Sequence, residues 1–206
     1  MEKIRKFEKP SIYLAQLLIL PLLWTLRLFF VRDKLNRDIK NLDLSKNDKN
    51  INYILYANHQ SGLDALIICA SLPWKTLKHL LPFRFFVYNK YMDGPLRYFL
   101  NVMGGFRSHP HETKSFGLDR ACELMEQNQT IMIFPSGQRT REKIAKRGVA
   151  VLAALPNTYL IPVHIDWKHR FHCHVHVGSP IKGQPDHLPE QLMEHVYDLP
   201  KKFVKI

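Results

Sequence analysis

At 206 residues, 46% of them hydrophobic, the chain can fill one core and is too short for two comfortable domains. A formal net charge of +12 calls for an anionic partner: nucleic acid, an acidic membrane surface or a phosphorylated small molecule. No nucleic-acid-binding module is recognisable and the basic residues are dispersed, so nucleic acid is not expected. Cys69, Cys122 and Cys173 are odd in number and widely spaced, which excludes a disulfide framework and reads as reduced, buried thiols of an intracellular protein.

The N-terminal segment, residues 1–32, differs from the rest. Residues 10–26 carry no charge and are rich in leucine and isoleucine; Lys3, Arg5, Lys6 and Lys9 precede them, and Arg27, Arg32, Lys34 and Arg37 follow. A helix over this run is roughly 25 Å long, marginal for crossing a bilayer core. Pro21 is expected to kink it, and no small-residue cleavage site marks a signal peptide. The expectation is a membrane-associated helical arm, one helix or a hairpin, dipping into one anionic leaflet between its basic flanks. A buried core helix and a true span are the alternatives. Residues 33–50 are polar and rich in Asn, Lys and Asp and read as a connector to a body over residues 51–206.

In the body, apolar strand-like runs at 51–57, 75–81, 130–134, 158–165 and 171–177 alternate with helical patterns at 64–71, 95–102, 113–127 and 147–155. This predicts an α/β fold with a mixed, largely buried sheet flanked by helices. Within it, Asn58-His59-Gln60-Ser61-Gly62-Leu63-Asp64 reads as a strand end, a turn permitted by Gly62, and the first turn of a helix. Asp64 can then fold back onto one nitrogen of His59, fixing its tautomer and leaving the other free to take a proton. A turn histidine with Asp64 as a plain cap is the bland alternative.

A second cluster follows the strand at 130–134: Pro135-Ser136-Gly137-Gln138-Arg139-Thr140-Arg141, with Lys146-Arg147-Gly148 beyond. A turn that exposes backbone amides beside guanidinium groups suits a phosphate. Without that context Arg139 is a solvated surface charge. Between the two clusters stands Gly104-Gly105-Phe106-Arg107. After them come Leu160-Ile161-Pro162-Val163-His164 and Val177-Gly178-Ser179-Pro180-Ile181.

Taken in order over roughly residues 55–182, these blocks resemble the glycerolipid acyltransferase superfamily, in its 1-acyl-glycerol-3-phosphate acyltransferase-like branch. The family's Asn-His-x4-Asp stands at Asn58-His59 and Asp64. Its Phe-Pro-Glu-Gly-Thr-Arg block stands as Phe134-Pro135-Ser136-Gly137-Gln138-Arg139. Ser136 replaces the glutamate, which resembles plastid-type glycerol-3-phosphate acyltransferases. The Arg that usually follows the glycine pair by several residues meets Pro110, so Arg107 is the nearest substitute.

The resemblance implies an acyltransferase domain over residues 51–206 that moves a fatty acyl group to the hydroxyl of a lysophospholipid such as 1-acyl-glycerol-3-phosphate, in phospholipid biosynthesis or remodelling. Acyl-CoA or acyl-carrier protein is the donor, with neither a metal nor a bound cofactor. His59 and Asp64 are the implied catalytic pair. Asn58, Gly105, Phe106, Arg107, Ser136, Gly137, Gln138, Arg139 and Lys146 are the implied substrate-binding residues, with a backbone amide near Gly137 facing the oxyanion. The implied location is the cytoplasmic face of a membrane, the inner one in a bacterium.

Other readings remain: a glycerol-3-phosphate acyltransferase, a hydrolase using Ser136 or Ser61 as nucleophile, and a catalytically silent membrane-surface protein. A metal site built from His169, His172, Cys173, His174 and His176 is a further alternative, with His172, His174 and His176 on one strand face.

Overall fold

The computed structural model describes residues 8–35, 51–108, 116–140, 143–169 and 172–203. In chain order the elements are α1 (Glu8–Phe30), β1 (Val31–Leu35), β2 (Asn52–Ala57), α2 (Asp64–Ser71), α3 (Trp74–Leu80), β3 (Phe83–Tyr88), α4 (Asn89–Met92), α5 (Arg97–Val102), β4 (Gly105–Ser108), α6 (Phe116–Glu126), β5 (Thr130–Ile133), α7 (Gly148–Ala153), β6 (Thr158–His169), β7 (His172–Val177), β8 (Ile181–Lys182) and α8 (Pro189–Phe203).

The strands form one mixed sheet in the order β1-β7-β6-β2-β5-β3-β4, with β8 added to β6. Strands β6, β2, β5, β3 and β4 run parallel to their neighbours, and β7 is antiparallel to β6. Both faces are covered, which is why β2 reads as an unbroken apolar run and not as an alternation. Leu55, Ala57, Met132, Ile161 and Val163 face a core shared with Ile67, Ile68, Leu77 and Leu80. Ile54, Tyr56, Ile131 and Leu160 face a second core with Leu124, Met125, Val149, Leu152, Leu192 and Val196.

Two spans depart from the expectation. Residues 75–81 form no strand: Thr76, Leu77 and Leu80 are the buried residues of helix α3, a helical spacing set among the polar Lys75, Lys78 and His79. The strand at that place is β3, immediately after, and it carries the fully buried Arg84. Helix α8 went unread although Leu192, Met193, Val196 and Leu199 mark its buried face. The arm is a single helix, not a hairpin, and it runs through Pro21. Among the described residues no helix is long and apolar enough to cross a membrane. β1 pairs in parallel with β7, which takes the start of the expected connector into the sheet; residues 36–50 of that connector lie outside the described residues.

Gln16 fixes α1 to the body. Its side-chain amide donates to the carbonyl oxygens of Phe83 (2.8 Å) and Met103 (2.7 Å) and accepts from the Phe83 N–H (2.9 Å). The contact needs Gly104. At φ +96° a Cβ there would lie 2.2 Å from the Phe83 oxygen and 2.8 Å from Gln16 Nε2. Replacing Gln16 with alanine leaves three buried backbone groups without this partner and should cost about 2–4 kcal/mol of stability, measured by chemical denaturation. A loss under about 0.5 kcal/mol would show that the clamp does not hold the arm.

On the second face His164 lies across from His176 in the β6–β7 ladder. Tyr197 of α8 meets the His164 ring edge-on at 5.5 Å, and Phe203 lies 5.4 Å from the His176 ring. Burial lowers the His164 pKa below its ordinary 6.5, partly opposed by Asp166. The unfolded chain therefore binds a proton that the folded chain refuses. This contribution to stability is complete above about pH 6.5 and is lost as pH falls below it. The denaturation midpoint should drop more between pH 7.5 and 5.5 for the wild type than for His164→Gln; equal drops would contradict the assignment.

Candidate active site

The parallel strands end along one edge of the sheet, where an open α/β sheet places its ligands. The turn after β2 carries His59, the turn after β5 carries Arg139, and β4 carries Arg107 near its end. Strand β6 is twelve residues long against six for β2, and its last pair with β2 is Ala57 with Val163. The remainder of β6 overhangs the β2 turn as a wall. Ile165 of that overhang exchanges two hydrogen bonds with the Asn58 side chain, each 2.7 Å. Asn58 is therefore buried, and its side chain is bonded to the backbone of β6, where it pins the turn.

Within the pinned turn, Asp64 opens α2 and is fully buried. Its Oδ2 accepts from the Gln60 N–H (2.7 Å), the Ser61 N–H (2.8 Å) and His59 Nδ1 (2.9 Å). Its Oδ1 accepts from the Trp167 indole N–H at 2.8 Å. Four donors on one buried carboxylate satisfy its lone pairs and fix its position. Because a carboxylate only accepts, His59 Nδ1 carries the proton of the neutral ring, and Nε2 keeps its lone pair. The ring stacks on Phe134 at 4.2 Å and is 20% exposed, held on one side and open on the other.

Trp167 and Gln60 were not read from the sequence as members of this site. The Gln60 side-chain oxygen accepts from the Trp167 backbone N–H at 3.4 Å. Trp167 is 103 positions from Asp64, and nothing local in the sequence signals the pairing; only the overhang of β6 creates it.

The second cluster meets the first. The Thr140 N–H donates to the His59 carbonyl at 2.9 Å. Arg139 lies against Gly62: a Cβ at Gly62 would sit 3.0 Å from its guanidinium. Gly62 thus makes room for the other cluster's cation besides easing a turn. Gly137 adopts φ +68°, and a Cβ there would lie 2.8 Å from Lys146 Nζ, so the Lys146 ammonium crosses the turn. Its backbone is held by a 2.8 Å bond from the Lys146 N–H to the Pro135 oxygen. Gln138 and Arg139 are exposed beside it. The Gly137 N–H is used within the turn, donating to the Phe134 oxygen at 2.9 Å, so this amide is not the one to face an oxyanion.

Three further residues fall elsewhere. Gly105 lies inside the sheet, where a Cβ would meet Val87 at 2.7 Å. Phe106 is buried against Phe86 with ring centroids 4.6 Å apart. Both serve packing here. Arg107 pairs with Asp93 at 2.6 Å, and that contact holds the Asp93 carboxyl below its usual range. It also sits three strands from β2, roughly 14 Å at ordinary strand spacing.

Neither serine is placed as a nucleophile. Ser136 is buried and donates its hydroxyl to the Gln138 oxygen at 2.7 Å, while Ser61 Oγ accepts from the Leu63 N–H at 3.3 Å. On β7, His172 and His174 are half-buried and His176 is buried. Among the described residues no group of three or more His, Cys, Asp or Glu is placed to hold a metal ion; same-face strand positions are nearly 7 Å apart. The side chain of His169 lies outside the described residues.

An apolar pocket adjoins the site. Ala65, Leu66 and Cys69 of α2 line it with Gln16 and Ile19 of α1, Phe83 and Phe85 of β3, and Met132 of β5. Burial pushes the Cys69 thiol up to about 12, so the thiol is a neutral part of this lining.

No curated protein matches the chain. Among solved structures, the 1-acyl-sn-glycerophosphate (LPA) acyltransferase PlsC from Thermotoga maritima matches with a TM-score of 0.63 and 18% sequence identity, over 98% of this chain and 83% of that one. At that identity the match establishes a shared fold. The sequence model of the family described as Acyltransferase matches residues 36–166. That is more than half of the chain and holds both clusters, so the protein belongs to the acyltransferase family.

Proposed function

We propose that this acyltransferase moves a fatty acyl group from acyl-CoA or acyl-carrier protein to a hydroxyl of a phosphorylated glycerolipid, 1-acyl-glycerol-3-phosphate being the type acceptor, in phospholipid biosynthesis or remodelling. The observation that carries the reading is the meeting of His59, fixed by Asp64, with Arg139 across Gly62. A base and a guanidinium that can hold a phosphate then stand on two adjacent turns, matching an acceptor whose hydroxyl and phosphate are a few bonds apart. Arg107, three strands away and paired with Asp93, is poorly placed to share that phosphate; Lys146 is the better second cation.

In the step itself His59 Nε2 takes the hydroxyl proton as the acceptor oxygen bonds to the thioester carbonyl carbon. Collapse of the tetrahedral intermediate breaks the carbon–sulfur bond, and the thiolate leaves with the proton from His59. Asp64 holds the ring and balances its charge while protonated. Such a base is worth about 10²–10⁴ in rate. Such an acceptor and the basic flanks of α1 support a location at a membrane, which we place on its cytoplasmic face.

Glycerol 3-phosphate is the second acceptor reading, favoured by Ser136 in place of the usual glutamate. Purified protein supplied with each thioester donor and a parallel panel of 1-acyl-glycerol-3-phosphate, glycerol 3-phosphate and other lysophospholipids tests both. Product only with the lysophosphatidate supports the first reading. Product only with glycerol 3-phosphate replaces it, and acylation of acceptors without a phosphomonoester contradicts the role given to Arg139.

A further inference from the structure

Helix α5 carries Tyr98, Phe99, Leu100 and Val102, yet none of its residues is buried. Tyr98 is 79% exposed, and Phe99, Val102 and the preceding Leu96 are each about half exposed. A contiguous apolar patch left in water on a short helix marks a surface made for something else. The patch is tied to the arm, because Met103, the residue that follows α5, is the one whose carbonyl accepts from Gln16 of α1. On α1 itself, Leu14, Leu18 and Leu22 stand exposed at helical spacing while Ile12 and Gln16 are buried.

We infer that α5 is a second membrane contact on the body of the protein, inserting Leu96, Tyr98, Phe99 and Val102 into the interfacial region of an anionic leaflet. Charge selects this occupant. Arg97 and Lys90 are exposed within and beside the patch, the exposed Asp93 carboxylate between them is paired with Arg107, and the chain carries +12 overall. Two copies meeting through this face bring like charges together, whereas an anionic leaflet attracts them. The residue types agree: aromatic rings, one with a polar tip, beside basic side chains are the composition of interfacial anchors. With α1 clamped to the end of α5, two contacts fix the orientation of the body, where a single arm leaves it free to swivel. The inference rests on the reading above that the protein works at a membrane, and it does not depend on which acceptor is used.

The test is vesicle flotation of the full chain with phosphatidylcholine vesicles containing anionic phosphatidylglycerol. Three proteins are compared: wild type, Tyr98→Ser/Phe99→Ser/Val102→Ser, and Leu14→Ser/Leu18→Ser/Leu22→Ser. Leu96→Ser/Tyr98→Ser, confined to the most exposed positions, is a milder second variant, and denaturation midpoints verify the fold. The α5 variants should partition at least about tenfold more weakly with α1 intact, and the α1 variant should keep part of its binding. Wild-type binding by both folded α5 variants would overturn the inference. A wild-type oligomer that the α5 variants split while still binding vesicles would also overturn it, making this face a protein interface. A wild type that fails to float would overturn it together with the membrane reading, whereas lost turnover with intact flotation would fault the catalytic reading alone.

Discussion

Replacing His59 with alanine should lower the turnover of acyl transfer by at least about a hundredfold and leave a folded protein. The ring stacks on Phe134 and is partly exposed, so its loss opens no deep cavity. What disappears is the Nε2 lone pair that receives the acceptor proton. Asp64→Asn should be as severe for a different reason. The carboxylate accepts from two backbone amides, one imidazole and one indole. An asparagine amide nitrogen cannot accept, so at least one donor faces another donor in a fully buried place, and His59 loses the partner that holds its Nδ1 proton. Some stability should go with it, about 1–3 kcal/mol for an unsatisfied buried group. Steady-state kinetics with a denaturation curve for each variant decides the matter. Near-normal turnover by folded His59→Ala would remove His59 as the base.

Arg139→Ala should act on the acceptor. A lost charge-assisted hydrogen bond is worth about 1.5–3 kcal/mol, which is about ten- to a hundredfold in affinity. The apparent KM for a phosphorylated acceptor should therefore rise by that factor, while kcat changes much less. Gly62→Ala is the matching control, because its Cβ would sit 3.0 Å from the guanidinium and must displace it. A smaller KM rise of the same sign is expected from that variant. An unchanged acceptor KM in Arg139→Ala would move the phosphate to Lys146 or away from this turn.

How far the sequence carried the fold depended on whether a signal was local. The helix expected at residues 64–71 is α2, Asp64–Ser71, because a turn, an acidic first residue and an apolar run sit together in the chain. The strand expected at 75–81 failed because Lys75, Lys78 and His79 interrupt the apolar residues there, and the buried Thr76, Leu77 and Leu80 stand at helical spacing. In the site, the approach of Asp64 to His59 was legible from their spacing. The partners that lock it were not: Trp167 and Ile165 reach it only because β6 outruns β2. The glycine pair at Gly104 and Gly105 reads from sequence like a ligand-binding loop. In three dimensions it makes room for the Phe83 carbonyl and Gln16 at one position and for Val87 at the other. Arg139 beside Gly62 lay between the two cases, since each cluster was visible and their meeting was not.

The central claim is direct transfer from thioester to acceptor with His59 as the base. The measurement that tests it most directly is a single turnover with radiolabelled acyl thioester and excess enzyme, quenched at short times with and without phosphorylated acceptor. Direct transfer predicts that label passes from thioester to acceptor lipid only when acceptor is present, with no acyl ester on the protein, and that His59→Ala stops the passage. Label trapped on Ser136 or Ser61, or thioester cleaved at the same rate without acceptor, would contradict it.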